Sequence, residues 1–189
     1  MRRSAPLVIA LLCALLASSS ASAGGKRTVL NYGDSLAVGT QLFLDRYLGG
    51  WHVRSDTEIS KHAADVPGAL RSFGSALPRV IVVSAGTNDD PGTVSRFART
   101  VREAVAVAGS SRCVIWATIV RPPYAGVSYS GYNRALTTIA GHHRTLHVLD
   151  WAAMARAHPN WFGSDGVHPS MTGYQARAAA TARLIRTAC

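Results

Sequence analysis

Short β-branched runs alternate with helix-patterned segments along nearly the whole chain, and this alternation limits the folds open to it. Arg79-Val80-Ile81-Val82-Val83-Ser84 is the clearest case. Its apolar interior is continuous, as in a strand buried on both faces. Thr28 to Tyr32, Trp51 to Ser55, Cys113 to Ile119 and Leu146 to Leu149 read as four further strands. Between and after them the spacing predicts helices over Ser35 to Leu48, Ala63 to Phe73, Tyr132 to His142 and from about Ser170 onward. Another helix is expected after Asp90-Pro91, a cap followed by a first-turn proline, with Val94, Phe97, Val101, Ala104 and Ala108 on one face and Gly109 at its end. Strands joined through helices pair in parallel, and right-handed crossovers cover both faces of the sheet. The expected fold is therefore α/β, a three-layer α/β/α sandwich around a five-stranded parallel sheet.

The N-terminus follows a different logic. Met1-Arg2-Arg3 is basic, Leu7 to Ala17 is apolar, and Ala21-Ser22-Ala23 has the pattern of an A-x-A cleavage site. The apolar run is shorter than the roughly 20 residues of a membrane-spanning helix. Residues 1–23 are read as a secretory signal peptide and 24–189 as one domain, exported from the cytoplasm, monomeric and without a membrane span after cleavage. Cys13 lies within the signal, so Cys113 and Cys189 remain. In an oxidising compartment an even pair invites a disulfide. A buried thiol at Cys113 with a frayed end at Cys189 is the alternative. The formal net charge is +10, with Arg2 and Arg3 contributing two of the positive charges. Such a charge suits anionic envelope polymers. The arginines are nevertheless scattered along the chain, as biased composition alone would leave them, and no basic run interleaved with aromatics points to nucleic acid.

Ligands of open parallel sheets bind beyond the carboxyl ends of the strands. Three fragments fall there. Tyr32-Gly33-Asp34-Ser35-Leu36 turns from the first strand into a helix, placing the Ser35 hydroxyl near free backbone N–H groups and the positive end of the helix dipole. Asp34 or Ser35 serves equally well as an ordinary helix cap. Gly86-Thr87-Asn88-Asp89 ends the third strand, where Asn88 offers an amide donor for an oxyanion or a plain turn residue. Asp165-Gly166-Val167-His168 precedes the last helix, where a neutral imidazole takes a serine proton and a carboxylate fixes its tautomer.

Singly, each fragment has an ordinary structural explanation. Together, spread over almost all of 24–189, they resemble the GDSL/SGNH hydrolases, whose blocks read Gly-Asp-Ser, a lone glycine, Gly-x-Asn-Asp and Asp-x-x-His. The resemblance implies a flavodoxin-like sheet and a serine esterase that uses no metal or cofactor. It casts Ser35 as nucleophile, His168 as base, Asp165 as the residue orienting His168, and Ser35 N–H with Asn88 as oxyanion donors. One block departs. Where the family has its second-block glycine the chain reads Thr57-Glu58-Ile59-Ser60-Lys61, so Ser60 is the expected occupant. Its N–H still donates, but a side chain projects where glycine leaves room.

The short chain leaves little for a lid, so the expected substrates are small acyl esters, such as acetyl groups on a carbohydrate or cell-wall polymer. The same residues serve an acyltransferase, a lysophospholipase or a thioesterase, and a weakened site would leave a carbohydrate-binding module. Arg121-Pro122-Pro123-Tyr124 either shapes the pocket or stiffens a connection, and Trp161 and Phe162 either wall the site or pack beneath it. His142, His143 and His147 lack metal-ligand spacing.

Overall fold

A computed structural model describes residues 27–189. The proposed signal segment, 1–23, lies outside these residues. Five strands form one parallel sheet in the order β2-β1-β3-β4-β5. They are β1 (Arg27–Gly33), β2 (Trp51–Thr57), β3 (Val80–Ser84), β4 (Cys113–Ala117) and β5 (Leu146–Leu149). The helices are α1 (Ser35–Tyr47), α2 (Val66–Ser72), α3 (Val94–Ala108), α4 (Ser130–Ala140), α5 (Trp151–Ala157) and α6 (Met171–Ala188). The strand order is that of flavodoxin-like sheets, with a switch point between β1 and β3 where connections leave in opposite directions.

Side-chain alternation along the strands feeds two cores. Leu30, Tyr32, Ile81, Val83, Val114 and Trp116 pack against α2, α3 and α4, notably through Leu70, Phe97, Val101 and Leu136. Val29, Val82, Ile115 and Leu149 face the other way, onto Leu44 of α1, Trp151 of α5 and Ile185 of α6. Both faces of β3 are therefore dry, as its unbroken β-branched run requires. Cys113 and Cys189 are joined in a disulfide that ties the end of α6 to the start of β4 across a sequence separation of 76.

Two local expectations differ from the structure, and one helix lies where none was expected. β4 stops at Ala117 rather than Ile119. The Asn133 side chain of α4 receives the Ile119 N–H at 2.7 Å and donates to its carbonyl at 2.9 Å, and so replaces a neighbouring strand. The helix expected from Asp90-Pro91 begins only at Val94. Asp90 instead closes an Asx turn, its Oδ1 accepting Gly92 N–H at 2.9 Å. α5 had no sequence assignment; Asp150 caps it, accepting Ala153 N–H at 3.0 Å. Among the described residues no helix is long and apolar enough to cross a membrane.

Candidate active site

The turn out of β1 places Ser35. Gly33 has φ of +148°, and a Cβ there would lie 2.0 Å from the Ser84 carbonyl oxygen, so β1 and β3 approach closely only because residue 33 has no side chain. Asp34 N–H then donates to that same carbonyl at 2.9 Å. The Asp34 side chain caps α1, its Oδ1 accepting Leu36 N–H at 3.0 Å. Ser35 is thus the first residue of α1, where a backbone N–H has no intrahelical acceptor.

Beneath this turn lies a buried polar chain. Arg177 of α6, only 2% exposed, donates to Ser84 Oγ at 2.9 Å, and Ser84 Oγ donates to Asp34 Oδ1 at 3.2 Å. The Arg177 guanidinium also stands 5.1 Å from the centroid of Trp151. Burial raises the Asp34 pKa above the ordinary carboxylate value, while the Arg177 charge pulls it back down. Burial likewise lowers Arg177, to about 10. Sequence reasoning missed Arg177. The available signal was a cation on the α6 stripe that also carries Tyr174, Ala178, Thr181 and Ile185.

The loop before α6 brings up the imidazole. Val167 and Pro169 are buried on either side of exposed His168, anchoring the loop while its ring faces the cleft. His168 Nε2 lies 2.9 Å from Ser35 Oγ. His168 Nδ1 lies 2.7 Å from Asp165 Oδ2. The other carboxylate oxygen accepts the backbone N–H groups of Val167 at 2.9 Å and His168 at 3.1 Å. The Val167 N–H, followed by the contact with His168, lowers the Asp165 pKa to about 2, so the carboxylate is ionised wherever the protein is folded near neutral pH.

Asn88, at the exit of β3, faces the same cleft. Its Nδ2 donates to the Lys61 carbonyl at 3.1 Å and Arg121 Nη1 lies 3.5 Å from its Oδ1; a primary amide retains a second N–H. Arg121 is held chiefly by the Thr87 carbonyl, at 2.7 Å. Asp89 receives Ala63 N–H at 2.9 Å and lies 3.1 Å from His62 Nδ1, which fastens the loop after β2 to the end of β3. Ser60, on that loop, is exposed and adopts a left-handed φ of 66°. It thus has the backbone conformation that glycine favours, although it does not line the cleft around Ser35.

That cleft measures about 390 Å³ and is lined by Ser35, Asn88, Asp165 and His168, with Arg121-Pro122-Pro123-Tyr124 forming one wall. The proline-rich segment therefore shapes the cleft. Trp161 packs beneath it, stacked 5.8 Å from Trp151. Among the described residues no group of three or more His, Cys, Asp or Glu side chains is disposed to hold a metal ion.

Over residues 15–176 the sequence matches the GDSL-like Lipase/Acylhydrolase family. The chain belongs to that family. It is an enzyme of the GDSL esterase type on a five-stranded α/β sheet. No curated protein matches the sequence significantly. Among solved structures, this GDSL enzyme is similar to the C-terminal catalytic domain of Streptococcus pneumoniae peptidoglycan O-acetyltransferase A, at 21% identity and a TM-score of 0.66, covering 85% of this chain and 90% of that one. It is similar also to a G-D-S-L family lipolytic protein from Veillonella parvula, at 16% identity and TM-score 0.70, covering 85% and 98%. The psychrotrophic esterase EstA from Pseudoalteromonas sp. is alike at 17% identity and TM-score 0.66, covering 85% and 97%. At these identities the likeness concerns the fold.

Proposed function

We propose that this GDSL enzyme hydrolyses short-chain carboxylic esters outside the cytoplasm through an acyl-Ser35 intermediate. The carrying observation is the chain Ser35 Oγ, His168 Nε2, His168 Nδ1, Asp165 Oδ2, with gaps of 2.9 and 2.7 Å, at the carboxyl edge of the sheet. In this reading Ser35 Oγ attacks the acyl carbonyl as His168 Nε2 takes its proton, and Asp165 steadies the imidazolium. His168 then returns the proton to the leaving alcohol, and a water repeats the attack on the acyl-enzyme. The Ser35 N–H and the second N–H of Asn88 receive the oxyanion. Ser60 belongs to the loop whose Lys61 carbonyl holds Asn88, but it does not line the cleft, so two donors carry this reading.

A cleft of about 390 Å³ favours small acyl groups. Acetyl esters on a carbohydrate or cell-wall polymer fit both this size and the positive net charge of the chain. Export is supported by the pattern of residues 1–23 and by the Cys113–Cys189 disulfide. The likeness to a peptidoglycan O-acetyltransferase domain favours a second reading, in which a sugar hydroxyl replaces water in the second half-reaction.

Hydrolysis of 4-nitrophenyl acetate, butyrate and octanoate by the purified protein tests the proposal. Rates should fall with chain length. Ser35→Ala and His168→Ala should each lose at least about 10³-fold, and the double variant little more, because the two act as a unit. Equal hydrolysis by wild type and Ser35→Ala would refute it. Acetylated sugar in place of free acetate, when an oligosaccharide is supplied, would select the transferase reading.

A further inference from the structure

Four of the arginines that look scattered in the sequence are brought to one edge by the parallel sheet. Arg27 opens β1, Arg79 and Arg112 immediately precede β3 and β4, and Arg144 stands two residues before β5. All strands run the same way, so these four positions share the amino edge, opposite Ser35. The acidic residues are sorted the other way. Of the ten Asp and Glu, seven lie at the carboxyl ends of strands or on the loops directly leaving them, and Asp165, in the loop before α6, reaches the same edge beside Ser35; Asp45 and Glu103 are the exceptions. The molecule therefore has a basic pole remote from the cleft that holds Ser35.

At that pole lies a second cleft, of about 700 Å³. Arg27, Arg54, Arg79 and Trp51 line it, over a floor that includes Leu77 and Pro78. Among the described residues, none of the three arginines has a carboxylate within ion-pair distance; the ion pairs are Lys61–Asp56, His62–Asp89, Arg71–Glu103 and His168–Asp165. Arg27 sits 5.6 Å from the Trp51 ring centroid and Arg54 4.4 Å from that of Phe73, contacts that orient the guanidinium groups without neutralising them. All three arginines are exposed.

We infer that this cleft binds a linear polymer carrying repeated carboxylate or phosphate groups. Guanidinium forks match either anion in bidentate fashion, and Trp51 supplies a flat apolar surface for the backbone between charges. Bound there, the polymer leaves the carboxyl edge open, and the enzyme is retained on an anionic matrix while Ser35 stays accessible. The inference does not depend on which ester is cleaved.

The test is binding of the purified full chain to immobilised polygalacturonate and to poly(glycerol phosphate), at 50 and 200 mM salt. Three proteins are compared: wild type, Arg27→Gln/Arg54→Gln/Arg79→Gln, and Arg96→Gln/Arg99→Gln/Arg102→Gln. The last removes equal charge from the exposed face of α3. Wild type should bind at least one polymer, and the one preferred identifies the anion as carboxylate or phosphate. The cleft variant should bind about tenfold more weakly at 50 mM salt with a shallower salt dependence, while the α3 variant stays within about threefold of wild type. Hydrolysis of a small soluble ester should be the same in all three. Equal weakening by both triple variants would overturn the inference, since net charge alone would then explain binding. So would failure of wild type to bind either polymer.

Discussion

Replacing Arg177 by methionine should expose what the buried chain beneath Ser35 contributes. The substitution keeps a long apolar stem against Trp151 but removes the donor to Ser84 Oγ and the cation nearest Asp34. Asp34 is 0% exposed and, among the described residues, its Oδ2 has no hydrogen-bond partner, so the carboxylate would be left in a buried site with neutral donors, the Leu36 N–H and the Ser84 and Thr87 side chains. Removing one member of a buried charge pair costs about 3–5 kcal/mol. For a domain of this size that corresponds to a fall in Tm of about 6–20 °C. The pH dependence has a definite sign. Burial already holds the native Asp34 pKa above the ordinary carboxylate value, and Arg177 is the largest opposing influence. Without Arg177 the native pKa rises further. The folded state then takes up a proton that the unfolded chain releases near pH 4. The deficit should therefore be greatest at pH 7 and shrink as pH falls toward 4. Tyr174, which also faces this pair, has its pKa raised by burial and stays neutral throughout that range. Asp34→Asn/Arg177→Met should recover most of the loss, since an amide oxygen still caps α1. Urea unfolding of wild type, Arg177→Met and the double variant at pH 7 and pH 4.5 makes the comparison. A single Arg177→Met variant within about 1 kcal/mol of wild type at pH 7, or no recovery in the double variant, would refute the reasoning.

Two further outcomes follow from backbone and covalent constraints. Ser60 has a φ of 66°, so Ser60→Val should lose about 1–2 kcal/mol in urea unfolding, whereas Ser60→Gly should stay within about 1 kcal/mol of wild type. Cys113→Ser/Cys189→Ser removes a cross-link spanning 76 residues and should lose about 2–4 kcal/mol, with reductant reproducing the effect in wild type and leaving the variant unchanged.

Much of this fold is local chemistry and was legible as such. The β-branched run of Val80 to Val83, the glycine at 33 and the apolar stripes of α3 and α6 each follow from periodicities of a few residues, and these dictate strands, a tight turn and helices wherever they occur. The fragments around Ser35 and Asn88 could be placed at strand ends, and that around His168 before the last helix, for the same reason. Their meeting in space could not be read from any of them singly. Ser35 and His168 are 133 residues apart, and only the shared edge of a parallel sheet brings Oγ and Nε2 to 2.9 Å.

What tertiary structure alone decided are the features made by long-range register. Asn133 ends β4 from another element, and Asp89 locks the Ser60 loop in place. Arg177 reads in sequence as a polar interruption of a helix face, yet it is buried beside Trp151 and Ser84. The basic pole has the same origin. Arg27, Arg79, Arg112 and Arg144 are tens of residues apart, and composition cannot say that they align. A common strand direction does, because every strand of a parallel sheet begins at one edge and delivers its first residues there.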